Sequence, residues 1–163
     1  MFIKTSLLSR NQKIKRIILS LLIALTVGFI FFQSTLSPEV AGQESEAVSG
    51  MISDVLPPDS PSVQYANENM DKIAHFTEFG LLGLFVSLYI CGFAAAPMLL
   101  APASVIFALS VAIIDETIQI FSGRTSDFAD VGADVIGFFI ISMIIYIAFF
   151  AIRCAKRKKE NKW

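Results

Sequence analysis

The sequence predicts an all-α, polytopic membrane protein with four transmembrane helices and a short extracytoplasmic helix between the first two. Three observations carry that prediction. Of 163 residues, 55% are hydrophobic and only 17% are charged, and the mean hydropathy is +0.66. A soluble domain is nearer half apolar and about a quarter charged. The apolar residues fall in long uncharged stretches, each matched to the roughly 20 residues a helix needs to cross the hydrocarbon. The basic residues flank these stretches: 11 of the 13 lie before Ile17 or after Ile152, with only Lys72 and Arg124 between.

The first span reads from Ile17 to about Leu36. A cleaved leader over residues 1–41 is the competing reading, because a basic start and an apolar run suit one. The run is longer than a usual leader core and no small-x-small site follows it, so a retained span is expected. After it, Val48, Met51, Ile52 and Val55 fall at i, i+3, i+4 and i+7. That spacing predicts a short amphipathic helix over Glu44–Leu56, ended by Pro57-Pro58. It either lies on the outer leaflet or packs on the bundle. A further helix is expected to begin near Asn67 and run straight into the second span. The second and third spans share one uncharged stretch of 36 residues, Phe79 to Ile114, with Pro97 and Pro102 bracketing the turn. The fourth runs from Val135 to Ile152, begun earlier by a polar cap at Ser126 or Asp127.

Basic residues concentrate on cytoplasmic flanks, so both termini are expected in the cytoplasm, and an even number of spans agrees. The chain divides into a basic N-terminus (1–16), one membrane domain (17–152) and a basic tail (153–163). The composition excludes a disordered chain, and two cysteines exclude a disulfide scaffold. Cys91 and Cys154 map near the cytoplasmic side, where reduced thiols are expected. Short basic tails beside apolar runs argue against a nucleic-acid partner. No glycine-rich phosphate loop appears.

Charged groups in or beside spans are costly and tend to be functional. Glu78 and Asp115 close the uncharged stretch at its two ends, equidistant from the Ala96–Pro97 bond. In an antiparallel hairpin they stand level, near the outer boundary, and Asp134 is expected at the same height. Asp71, His75, Glu78 and Leu82 make one stripe on the second span, while Asp115 and Gln119 make another on the third. Asp127, Asp130, Asp134 and Gly137 share a face of the fourth, where Gly137 lets another helix approach. Asp127, and with it Asp130, has a simple role at the positive end of a helix. Asp134, about two turns in, has none. Gly80, Gly83, Ser87 and Cys91 form a small-residue stripe suited to helix packing.

The candidate cluster is therefore His75, Glu78, Asp115, Glu116, Gln119, Arg124, Asp130 and Asp134. His75, the lone histidine, is either a hydrogen-bonded structural residue or a proton handler. So many carboxylates cannot all stay ionised and unpaired in low dielectric. Either some are protonated, or Arg124 folds back onto them, or a cation sits among them. Gly123 permits the reverse turn that would aim Arg124 inward; an exposed loop charge is the plain alternative. No organic cofactor is expected. An oxygen-ligated divalent cation could be held by Glu78, Asp115, Asp130 and Asp134. Structural zinc is disfavoured, since no cysteine lies at this level.

Two segments resemble a known family. Asp71-Lys-Ile-Ala-His75-Phe-Thr-Glu78-Phe-Gly-Leu-Leu-Gly83 is similar to the first motif of VanZ-like membrane proteins. Asp115-Glu116-Thr-Ile-Gln119 followed by Gly123-Arg124-Thr-Ser-Asp127-Phe-Ala-Asp130-Val-Gly-Ala-Asp134-Val-Ile-Gly137 is similar to the second: an acid and a glutamine, then Gly-Arg, acids and a glycine. The serine-bearing stretch Ser34–Ser53 is a weaker match. The Gln119–Gly123 connection is shorter than in many members and lacks their frequent proline. The resemblance spans roughly residues 17–150. It implies a multi-pass protein of the bacterial cell envelope, and its namesake is associated with low-level teicoplanin resistance. It implies no settled enzymatic activity.

Three functions stay open on these grounds. The first is a binding protein whose outward site engages a lipid-linked cell-wall component or a lipoglycopeptide. The second is an intramembrane enzyme with Glu78 or Asp115 as general base and Arg124 stabilising developing charge. The third is a small proton-linked transporter, for which an oligomer would enclose the path.

Overall fold

A computed structural model describes residues 9–55, 57, 60–94, 97–125 and 127–160. Leu56 and Pro58, Ser126, and the Lys4 and Lys162 ends of the basic tails lie outside the described residues. Among the described residues there are six helices and no strands: α1 (Arg10–Ser34), α2 (Pro38–Val55), α3 (Pro61–Glu68), α4 (Met70–Phe93), α5 (Pro97–Phe121) and α6 (Phe128–Glu160). Four of them, α1, α4, α5 and α6, are long and apolar enough to cross a membrane.

α1 begins seven residues before the expected apolar boundary because a capping box starts it there. The Ser9 side chain accepts from the Gln12 amide, and the Gln12 side chain accepts from the Ser9 amide. Two otherwise unpaired donors are thus satisfied together. The basic residues Arg10 to Arg16 are therefore helical. α6 likewise runs past Ile152, through the basic tail to Glu160.

The connection between α4 and α5 is tighter than the two prolines suggest. Ala94 closes α4, and the helix resumes at Pro97, so Pro102 lies inside α5 rather than bordering the turn. Pro97 suits a first helical position, where its missing N–H is not needed. Pro102 leaves the carbonyl four residues back without its ordinary helical donor.

The region after α1 also differs from the simple reading. α2 starts at Pro38, earlier than Glu44, and a separate α3 capped by Ser60 precedes α4. Asn69 separates α3 from α4, so the helix that runs straight into the second span starts at Met70, three residues after Asn67. The apolar face of α2 packs only loosely: Val48 is 45% and Met51 68% exposed, while Ile52 is half-buried.

α4 and α6 form the tightest pair. A Cβ added at Gly83 would lie 2.6 Å from the Phe138 carbonyl oxygen. One at Gly137 would lie 3.0 Å from both Cα and the carbonyl carbon of Phe76, and nearer still to its oxygen. Small residues let membrane helices approach to backbone contact, where dispersion replaces the absent hydrophobic drive. Phe79, Leu82 and Phe138 fill the contact, with Ile30 from α1 and Ala108 and Ala112 from α5 against them. Large apolar side chains on the outer faces, such as Leu25, Leu99 and Ile106, remain exposed. That suits a bundle whose solvent is lipid.

The two ends of the bundle are chemically distinct. Arg16 Nε donates to the Tyr89 hydroxyl at 2.8 Å, which places the start of α1 beside the end of α4. The basic collars and the α4–α5 turn therefore share one end. The opposite end carries α2, α3 and the acidic residues.

Candidate functional site

The last turn of α1, the first two turns of α4, the end of α5 and the start of α6 meet at that opposite end. Each contributes polar side chains to one buried network. His75, Asp115, Glu116, Gln119, Asp130 and Asp134 are all buried, and Glu78 and Arg124 are half-buried. Asp134 is 0%, Asp115 1% and Glu116 5% exposed.

His75 is the hub. Its Nδ1 stands 2.9 Å from Asp134 Oδ1 and 3.7 Å from Asp115 Oδ2. The Gln119 amide nitrogen lies 3.4 Å from His75 Nε2 and donates to Asp115 Oδ2 at 3.1 Å. This network assigns one tautomer: Nδ1–H donates to Asp134, and Nε2 accepts from Gln119. Both amide protons of Gln119 are then used. The Ser34 hydroxyl bridges the Ile30 carbonyl and Asp115 Oδ1, tying α1 to α5.

The remaining acids are not so provided for. Both oxygens of Glu116, Asp130 Oδ1 and Asp134 Oδ2 are buried without a hydrogen-bond partner. Lys72 Nζ stands 4.0 Å from Asp130. Among the described residues, two groups have ligand-competent atoms within 4.8 Å of one another: His75 with Glu116 and Asp130, and His75 with Asp115 and Asp134. Glu78 is in neither group and stands at the rim of the cavity instead.

The Arg124 turn is built by a helix stop. Gly123 adopts φ +80, its N–H donates to the Ile120 carbonyl at 3.2 Å, and the Arg124 N–H donates to the Gln119 carbonyl at 3.0 Å. This pairing of the last carbonyls requires a left-handed residue, for which glycine carries no Cβ penalty. At the start of α6, Asp127 is an exposed cap: its Oδ1 accepts from the Ala129 amide at 2.9 Å.

Arg124 borders two adjoining cavities. The first, about 340 Å³, has Ser34, His75, Glu78, Asp115 and Gln119 in its wall, with Ala41, Val48 and Ile73 as its apolar side. The second, about 520 Å³, is lined by Asp71, Lys72, Asp127 and Asp130. All eight residues singled out in the sequence thus stand at one end of the bundle. Ser34 and Lys72 were not singled out. Lys72 has a local signal, since it precedes His75 by three residues on α4. Ser34 has only its place at the head of the serine-bearing stretch, in the last turn of α1.

No curated protein matches the chain, and no solved structure does. Residues 17–150 match the VanZ/LLP1 family, a span that takes in α4 and α5 whole, most of α1 and α6, and every polar group of the network. The chain belongs to the VanZ/LLP1 family of membrane proteins.

Proposed function

We propose that this VanZ-like membrane protein acts in the bacterial cell envelope by receiving the polar headgroup of a lipid-linked cell-wall component, or of a lipoglycopeptide, at a site open to the outside. The observation that carries the reading is the placement of Arg124 between the two cavities. Its guanidinium fork suits phosphate or carboxylate. The first cavity adds an apolar wall beside that cation, so a ligand with a charged head and a lipid tail meets matching surfaces. Basic collars at the other end of the bundle support an outward opening of the cavities under the positive-inside rule. Occupation of such a component would lower the access of a teicoplanin-type drug to its target.

The test is teicoplanin susceptibility in strains matched except for this protein. Greater susceptibility without the protein supports the reading. Equal susceptibility, with the protein demonstrated in the membrane, removes the resistance role.

The Asp134–His75–Gln119–Asp115 chain favours a second reading, an intramembrane acid/base enzyme on a lipid-anchored envelope substrate. Glu78 or Asp115 would take a proton, His75 would relay it, and Arg124 would stabilise the negative charge that forms. If Glu78→Gln and Arg124→Ala both retain full turnover of such a substrate, this assignment of roles fails.

A further inference from the structure

We propose that His75, Glu116 and Asp130 hold a divalent cation of the first transition row, with manganese(II) and zinc(II) as the probes. A ring nitrogen of His75, an oxygen of Glu116 and an oxygen of Asp130 lie within 4.8 Å of one another. Three ligands around such an ion at about 2.1 Å stand roughly 3.0–3.4 Å apart. Closing on a metal therefore needs the ligand atoms to draw together by at most about 1.8 Å.

The second observation is independent of this spacing. Glu116 is 5% exposed, and neither of its oxygens has a hydrogen-bond partner; Asp130 Oδ1 has none either. A buried carboxylate without hydrogen bonds or counter-charge carries a desolvation cost of several kcal/mol. Lys72 reaches only the Asp130 side, at 4.0 Å. A divalent ion supplies the missing charge to both carboxylates, through one oxygen of each.

Ligand chemistry narrows the ion. One imidazole among carboxylates suits zinc, iron or manganese over calcium and magnesium, which take oxygen. Asp134, at 2.9 Å from His75 Nδ1, fixes the ring's orientation and leaves Nε2 as the ligand atom, where an ion would displace the long 3.4 Å contact from the Gln119 amide. Ligating histidines are commonly held by a carboxylate in this way. The Asp115 carboxylate, engaged by Ser34 and Gln119, is the less available acid of the cluster.

The proposal stands apart from the headgroup reading. Arg124→Ala removes the cation that would hold a headgroup and touches none of the three ligands, so each can fail alone.

The test is manganese(II) and zinc(II) binding to the full chain in lipid nanodiscs, read by electron paramagnetic resonance for manganese and by elemental analysis after desalting for zinc. The expected result is about one ion per chain, with affinity lowered at least tenfold in Glu116→Gln and Asp130→Asn and unchanged in Asp127→Asn, an exposed acid nearby. The metal is also expected to raise the thermal midpoint of the wild type, and EDTA to reverse this. That readout needs no variant to fold. Wild type that retains no ion of either kind and gains no thermal stability, or equal binding by Glu116→Gln and wild type, would overturn the proposal.

Discussion

Gly137→Ala probes whether α4–α6 contact is what assembles the polar network. The new methyl would lie 3.0 Å from two backbone atoms of Phe76 and closer to a third. Backbone cannot turn aside as a side chain can. Normal spacing of about 3.5 Å returns only if the helices part by roughly 1 Å. His75 precedes Phe76, and Asp134 lies one turn before Gly137, so the same movement stretches the 2.9 Å His75–Asp134 bond. At roughly 3.9 Å it would no longer be a hydrogen bond. Overpacking costs about 1–3 kcal/mol, and an unpartnered buried oxygen costs about 1–3 kcal/mol more. Against these stands about 1 kcal/mol of helix propensity gained on replacing glycine. A net loss of about 1–5 kcal/mol is expected. Reversible unfolding followed by helical circular dichroism in detergent measures it. Gly28→Ala is the control, because a Cβ there meets nothing within 4 Å; it should be neutral or mildly stabilising. If Gly137→Ala matches Gly28→Ala, the close approach does not hold the network together.

Other consequences follow from single contacts. Ser34→Ala removes the hydroxyl that engages Asp115 and should destabilise the chain by about 1–3 kcal/mol; the same unfolding experiment detects it. Gly123→Ala forces an ordinary residue to φ +80, at about 1–2 kcal/mol. It should also loosen Arg124, which faster amide exchange at Arg124 would report, since its N–H bonds the Gln119 carbonyl. Ser9→Ala removes one half of the capping box and should fray the first turn of α1 for about 1 kcal/mol, seen as faster exchange at Gln12. Cys154 is exposed and Cys91 half-buried. A membrane-impermeant maleimide should therefore label Cys154 only after the membrane is opened; labelling of intact cells would reverse the proposed orientation.

The spans were legible because their cause is local. Uncharged stretches, the symmetric placement of Glu78 and Asp115 about the Ala96–Pro97 bond, and the glycines at 83 and 137 all follow from helical spacing and membrane thickness. The helix ends were less legible. Ser9 and Gln12 lengthen α1 through a cap that hydropathy does not register, and Pro102 is absorbed into α5 although proline usually marks a boundary. α3 went unseen because eight residues of mixed polarity give no clear period. Within the polar network, the eight side chains at one height could be read from their stripes. Their pairings could not. That His75 takes Asp134 as its nearest partner, that Ser34 meets Asp115 from 81 residues away, and that Glu116 has no partner depend on how four helices rotate against one another. Those rotations are set by the contacts between helices, foremost that of α4 with α6, and not by any single helix.

The central claim is that the cavity beside Arg124 receives a lipid-linked headgroup. Its most direct test is mass spectrometry of lipids that copurify with the full chain from bacterial membranes, comparing wild type with Glu78→Gln and Arg124→Ala. The account predicts a lipid-linked cell-wall precursor on wild type and its loss from both variants, with ordinary membrane lipids unchanged. The same lipids in the same amounts on all three proteins would contradict it.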